Sequence, residues 1–194
     1  RLGQGRHEEA LTLGQRALSS SSRIDDQHER AITCRLVGLA YASLGRSRES
    51  EQFLGEAIDS LTRISESFEL ALTVMRIGKL EDQPQDRAAD LLKQAFGTFL
   101  SLDSRGYAAI AAYEVAHHHC IHENLDEAIT YLDRAMGLTN ETEEPALWSR
   151  IVRLRREVEN AYTSRWVRAG GGIDSFRELA RLFRGNNDVG MALT

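Results

Sequence analysis

A pair of small residues seven positions apart recurs four times along this 194-residue chain: Ala10/Ala17, Ser50/Ala57, Ala88/Ala95 and Ala128/Ala135. The copies follow one another at about forty residues, a period that marks stacked supersecondary units, each covering its apolar face with its neighbour. Seven residues is close to two helical turns, so each pair lies on one side of a helix. A third small residue precedes the later pairs: Gly38, Gly78 and Ala116. Two antiparallel helices approach closely only where one presents nothing larger than a methyl group, so this spacing predicts repeated close contacts between helix pairs. Leu36, Tyr41, Phe53, Leu54, Ile58, Leu61, Leu91, Leu92, Phe96, Tyr131 and Leu132 are the larger apolar residues expected between the turns. Burying each contributes on the order of 1.5–3 kcal/mol before entropy.

The rest of the sequence agrees with helix throughout. Ala, Leu, Glu and Arg are abundant, aromatics make up only 7%, and there are two prolines. Apolar spacing and stop signals place helices at about 6–19, 26–44, 47–64, 66–80, 85–100, 104–122 and 125–138. After a break at 139–145 comes a long helix at about 146–169. Leu147, Ile151, Leu154, Val158, Ala161, Tyr162 and Trp166 form its apolar seam, suited to capping the array. Three glycines (170–172) then precede a short amphipathic stretch with Ile173, Phe176, Leu179, Ala180, Leu182 and Phe183 on its apolar stripe. Residues 1–140 therefore read as the repeat array, 141–169 as a capping helix, and 170–194 as a connector to a further domain. The chain starts Arg1-Leu2-Gly3, part-way through a repeat, and reads as a piece of a longer protein.

The net charge is −5, but from Pro145 to Arg184 nine arginines face four carboxylates, so that end is basic and the remainder acidic. A basic end on an acidic array can steer an acidic partner, or form a solvated face. Cys34 and Cys120 lie in different repeats and read as reduced, partly buried residues. No apolar run approaches the ~20 residues of a membrane helix. The expectation is a cytoplasmic protein that binds neither membrane nor nucleic acid directly.

The string Val37-Gly38-x-x-Tyr41-x-x-x-Gly45, followed by Ser50, Leu54 and Ala57, resembles the tetratricopeptide-repeat consensus. Residues 3–17, from Gly3 to Ala17, look like the second half of a preceding unit. The likeness extends over about 1–140. It is thinnest around Gly78, where Glu81 stands in place of the tyrosine, and the usual proline near each repeat end is missing. The resemblance implies an all-α, right-handed superhelix of antiparallel helix pairs whose first helices line a concave face. It also implies that ligand contacts come from Arg35, Leu39 and Ala42, from Met75, Lys79 and Asp82, and from Tyr113, His117 and Cys120. Such a groove is partly apolar with a few positive groups, and suits a peptide or helix bearing an acidic side chain. Alternatively it is empty, or filled by a flanking segment of the chain itself.

Other candidate chemistry is sparse. His118 and His122 are four apart on a helix and are able to share a transition metal, with Cys120 and Glu123 nearby. Cys120 lies on another face, however, and His119 occupies the place of Tyr41 in its own copy, so packing accounts for the string. His7-Glu8-Glu9 lacks the second histidine of a metalloprotease, and neither Gly3-x-Gly5 nor the triple glycine sits in a strand–helix phosphate loop. No nucleophile–base set can be assembled, and no metal or cofactor is expected. Arg177 to Phe183 followed by Asn186 to Leu193 is similar to the connector before a GAF-type sensory domain in bacterial regulators, including sigma-54-dependent activators. These residues point to a non-catalytic module that binds a protein or peptide within a larger bacterial signalling or transcriptional regulator. A self-association scaffold, possible as a homodimer, is the competing reading, and a metal or enzymatic role through the histidines is a third.

Overall fold

The computed structural model describes residues 2–21 and 27–168. Among these residues the chain is all-α and without strands. Its helices are α1 (Leu2–Ser21), α2 (Gln27–Ser43), α3 (Ser47–Arg63), α4 (Ser67–Gly78), α5 (Gln85–Ser101), α6 (Arg105–Ile121), α7 (Leu125–Leu138) and α8 (Pro145–Arg168). Each helix expected between residues 6 and 169 is present to within a few residues of its predicted bounds. The stripe Ile173–Phe183 and the connector after it lie outside the described residues. The helices fall into two compact units, Arg1–Ser104 with α1–α5 and Arg105–Thr194 with α6–α8.

In the first unit, α2 packs on α1 and α3, and α4 packs on α5, α3 and, more lightly, α2. The close contacts are those the spacing demands. A methyl group added at Gly38 would stand 2.7 Å from Leu54 Cγ, and one at Gly78 would stand 3.0 Å from Leu92 Cγ and 3.1 Å from the Ala88 carbonyl oxygen. Ala57 and Ala95 are fully buried, as are Leu61, Leu92 and Phe99. The stacked rings of Tyr41 and Phe53, 5.5 Å apart, close the α2–α3 pair, with the Arg46 guanidinium over Tyr41.

The second unit repeats this plan. Ala116, Ala128, Leu132 and Ala135 are buried without exposure. His119 stacks on Tyr131 as Tyr41 stacks on Phe53, and Arg134 covers Tyr131. The long α8 lies on α7 and α6 and buries Leu147, Ile151, Leu154 and Val158. Arg155 of α8 is also buried, bonded to Asp133 of α7 and at 2.7 Å to Glu159. Burial opposes its charge, but the two carboxylates prevail and its pKa is raised.

Four of the helix-to-helix turns share one geometry. The N–H of Arg46 bonds to the Tyr41 carbonyl while that of Gly45 bonds to Ala42, and the same two bonds recur at Glu66/Ser65, Ser104/Asp103 and Asn124/Glu123. This is the Schellman closure, which needs a left-handed residue after the helix. Gly45 takes that conformation at φ 71°, but so do Ser65, Asp103 and Glu123 at 59°, 52° and 57°.

One sequence expectation is corrected. Leu36, expected in the packing between turns, is 58% exposed. Ala10 and Ala17 do not share the burial of the later pairs but lie exposed on α1. The residues of α1 that pack on α2 are instead Leu11, Gly14 and Leu18. Position 14 corresponds to Leu54, Leu92 and Leu132 in the other copies, and glycine there admits Val37, whose Cγ2 lies 2.4 Å from where a methyl would be.

Candidate functional site

In the first unit, an apolar groove of about 470 Å³ runs between α1 and α2. Ala10, Leu13, Gly14 and Ala17 form its α1 side, and Leu36, Leu39 and Ala40 its α2 side, with His7, Thr33 and Ser43 at the edges. Its walls are shallow because α1 offers alanine and glycine where the second helices of the other pairs offer a buried leucine. Leu13 (56% exposed) and Leu36 stand up from it into solvent. The composition suits apolar side chains of another helix, and the groove contains no assembled acid–base or nucleophilic set.

The residues proposed from sequence separate into engaged and open groups. Arg35 is buried and its Nη1 lies 2.6 Å from Glu69 Oε2 and 3.3 Å from Thr73 Oγ1, tying α2 to α4. Thr73 in turn donates to the Glu69 carbonyl at 2.7 Å. Met75 is buried, and Asp82 accepts a 2.9 Å bond from the Ser47 hydroxyl. Leu39 and Ala42 are half-buried and Lys79 is exposed. The groove therefore takes in Leu39, and Leu36 is the neighbour that sequence reasoning assigned to the core. Its place on α2, three before Leu39, was the available signal.

In the second unit, α8 covers part of the corresponding face of α6. Arg150 places its guanidinium 4.4 Å from the ring centre of buried Tyr113 and 3.5 Å from the carboxylate of buried Glu114. His117 stacks against Tyr113 and is exposed, while Cys120 is half-buried. Burial first, and then Glu157 of α8, push the Cys120 thiol pKa up. Cys34 in the first unit is more strongly affected: burial and Glu56, whose carboxylate lies 3.8 Å from its Sγ, push it up to about 11. A thiol so disfavoured as thiolate is a poor nucleophile at neutral pH.

The histidines divide among different surroundings. His119 packs on Tyr131 with Asn124 Nδ2 3.4 Å from its Nδ1, whereas His118 and His122 lie ring to ring at 4.5 Å. Among the described residues, no three His, Cys, Asp or Glu side chains are placed to share a metal ion. Among the same residues, no helix is long and apolar enough to cross a membrane.

No curated protein matches the chain. A family model of the tetratricopeptide repeat matches residues 1–63, the stretch that carries α1, α2 and α3 and both walls of the groove, so that this part of the chain is similar to that repeat.

Proposed function

We propose that the chain is a non-catalytic protein-binding module of a larger bacterial signalling or transcriptional regulator. The observation that carries the reading is the apolar groove between α1 and α2, with Leu13 and Leu36 projecting beside it. An apolar surface rimmed by polar residues is a docking site for an amphipathic element, whose affinity comes from apolar burial and whose register comes from the spacing of its anchors. The tetratricopeptide match over residues 1–63 supports the same use, because that repeat generally serves protein–protein interaction. Leu39, Ala42 and Lys79 extend the surface along α2 and α4, and His117 offers a contact in the second unit. The similarity of residues 177–193 to a sensory-domain connector supports the regulator context.

A photo-reactive amino acid placed at Leu36, and in separate variants at Lys79 and at the exposed α7 residue Arg134, tests this in cells. Discrete protein adducts at Leu36 that disappear with Leu39→Glu are the expected result. Absence of any adduct at Leu36 and Lys79 refutes the reading.

A further inference from the structure

We propose that a cavity between α3 and the α4–α5 turn receives a tyrosine side chain presented by a bound protein or peptide, at a contact point separate from the α1–α2 groove. The inference rests on the protein-binding reading and names one side chain that the partner brings. The cavity holds about 260 Å³. That is less than the roughly 300–1,000 Å³ of small-molecule sites, and of a size for a single side chain.

The cavity walls repeat the surroundings of Tyr41, forty residues further on. Tyr41 packs among Leu11 and Leu18 of α1 and Val37 and Ala40 of α2, and its hydroxyl accepts a 3.2 Å bond from Gln15 Nε2. The counterparts of those neighbours are Glu51, Ile58, Ile77, Leu80 and Gly55, and every one of them lines the cavity. The counterpart of Tyr41 itself is Glu81, which is exposed. Helix α2 continues past Tyr41 to Ser43, whereas α4 ends at Gly78, so position 81 has left the helix before it can take the place of the ring. The chain thus carries its own example of what such a frame encloses, an aromatic ring bearing a hydroxyl.

The polar groups call for a donor on that ring. Gln15, the donor to Tyr41, has become Gly55, while Glu51 stands for Leu11 and Gln83 joins the lining. Gln83 Oε1 is shielded from solvent, and among the described residues nothing donates to it. A buried acceptor of this kind needs a donor, which a phenol O–H supplies and phenylalanine does not. Arg87 stands at the cavity, much as Arg46 and Arg134 stand over Tyr41 and Tyr131 at 4.6 and 4.7 Å from the ring centres. Glu51 and Asp82 make the surroundings acidic on balance, which disfavours a phosphorylated tyrosine. The five tyrosines of the sequence all belong to α2, α6, α7 and α8, so the occupant is assigned to a partner and not to a loop of this chain.

Titration of the isotope-labelled full chain with N-acetyltyrosinamide, followed by two-dimensional NMR, is the test. Saturable shifts of the Gly55 and Gln83 signals are expected with a Kd of about 1 mM, and N-acetylalaninamide should produce none. The phenylalanine and phosphotyrosine derivatives should bind about fivefold more weakly or less. A Cβ at Gly55 would meet nothing within 4 Å, so Gly55→Trp occupies the cavity while sparing the helix. It should abolish the Gln83 shifts with unchanged circular dichroism. Gln83→Leu, placed on the turn, should remove the preference for tyrosine over phenylalanine. Shifts that fail to saturate, that persist in Gly55→Trp, or that are equal for the tyrosine and phenylalanine derivatives overturn the proposal. A null titration alongside protein adducts at Leu36 removes the cavity as a site and leaves the protein-binding reading standing.

Discussion

Arg35 of α2 and Glu69 of α4 are joined at 2.6 Å between helices that do not belong to the same antiparallel pair. Both side chains are largely withdrawn from water, at 10% and 20% of full exposure, and Thr73 completes the arrangement. The tetratricopeptide resemblance implied a ligand contact at Arg35, and its guanidinium links two successive first helices. In the second unit, Arg150 of α8 and Glu114 of α6 make the corresponding kind of link at 3.5 Å.

Removing only the arginine leaves a half-buried carboxylate without its strongest bond. Arg35→Met is therefore expected to cost about 1.5–3 kcal/mol in urea denaturation. Adding Glu69→Met should recover a large part of the loss, since apolar replacement of both members of a buried pair is often close to neutral. A double variant whose loss equals the sum of those of Arg35→Met and Glu69→Met alone would show that the pair is not coupled.

The repeated alanines give a paired prediction. Ala57→Leu inserts bulk where the side chain has no exposure, and should lower stability by about 1–3 kcal/mol. Ala17→Leu makes the same change at the matching position of α1, where the residue is exposed, and should alter stability by no more than about 0.5 kcal/mol. Thermal melts of the two variants side by side decide whether the two positions are equivalent.

Three turns carry a left-handed residue that is not glycine. Glu123→Gly should stabilise the second unit by about 1 kcal/mol, the approximate steric cost of that conformation for a residue with a Cβ. Gly45→Ala should cost a similar amount in the first unit. Loss of stability in Glu123→Gly would mean that the side chain makes contacts worth more than the relieved conformation.

The Cys34 thiol, raised to about 11 from an ordinary value of 9.0, sets a pH dependence. The unfolded chain loses this proton first. The stability the neutral buried thiol contributes is thus complete below pH 9 and declines as pH rises towards 11. Cys34→Ala should flatten the fall of melting temperature across that interval. At pH 8, iodoacetamide should modify the half-buried Cys120 before Cys34, and a faster reaction at Cys34 would contradict its burial.

The fold was legible because its signals are local. Helix lengths follow from apolar spacing, and Gly38 and Gly78 announce close helix contacts wherever they fall. The first copy differs for a physical reason. Ala10 and Ala17 carry the same letters as the later pairs, but small residues encode only permission for a close approach and do not supply the helix that makes it. Leu36 misled, since an apolar residue on an amphipathic helix is buried only if something lies over it. The turns at Ser65, Asp103 and Glu123 were obscure because glycine is the usual sign of a left-handed cap, and there the backbone pays for the conformation through its hydrogen bonds. The link from Arg35 to Glu69 spans 34 residues and depends on how α2 meets α4, which no local pattern records.

Because each helix within a unit rests mainly on those next to it in sequence, few distant segments must find one another before packing begins. A chain of such low contact order should collapse rapidly and come apart by fraying rather than in a single event. Leu11, Gly14 and Leu18 hold α1 to α2 along one flank, so amide hydrogens of that helix should exchange with solvent well before those beneath Phe99 and Leu92.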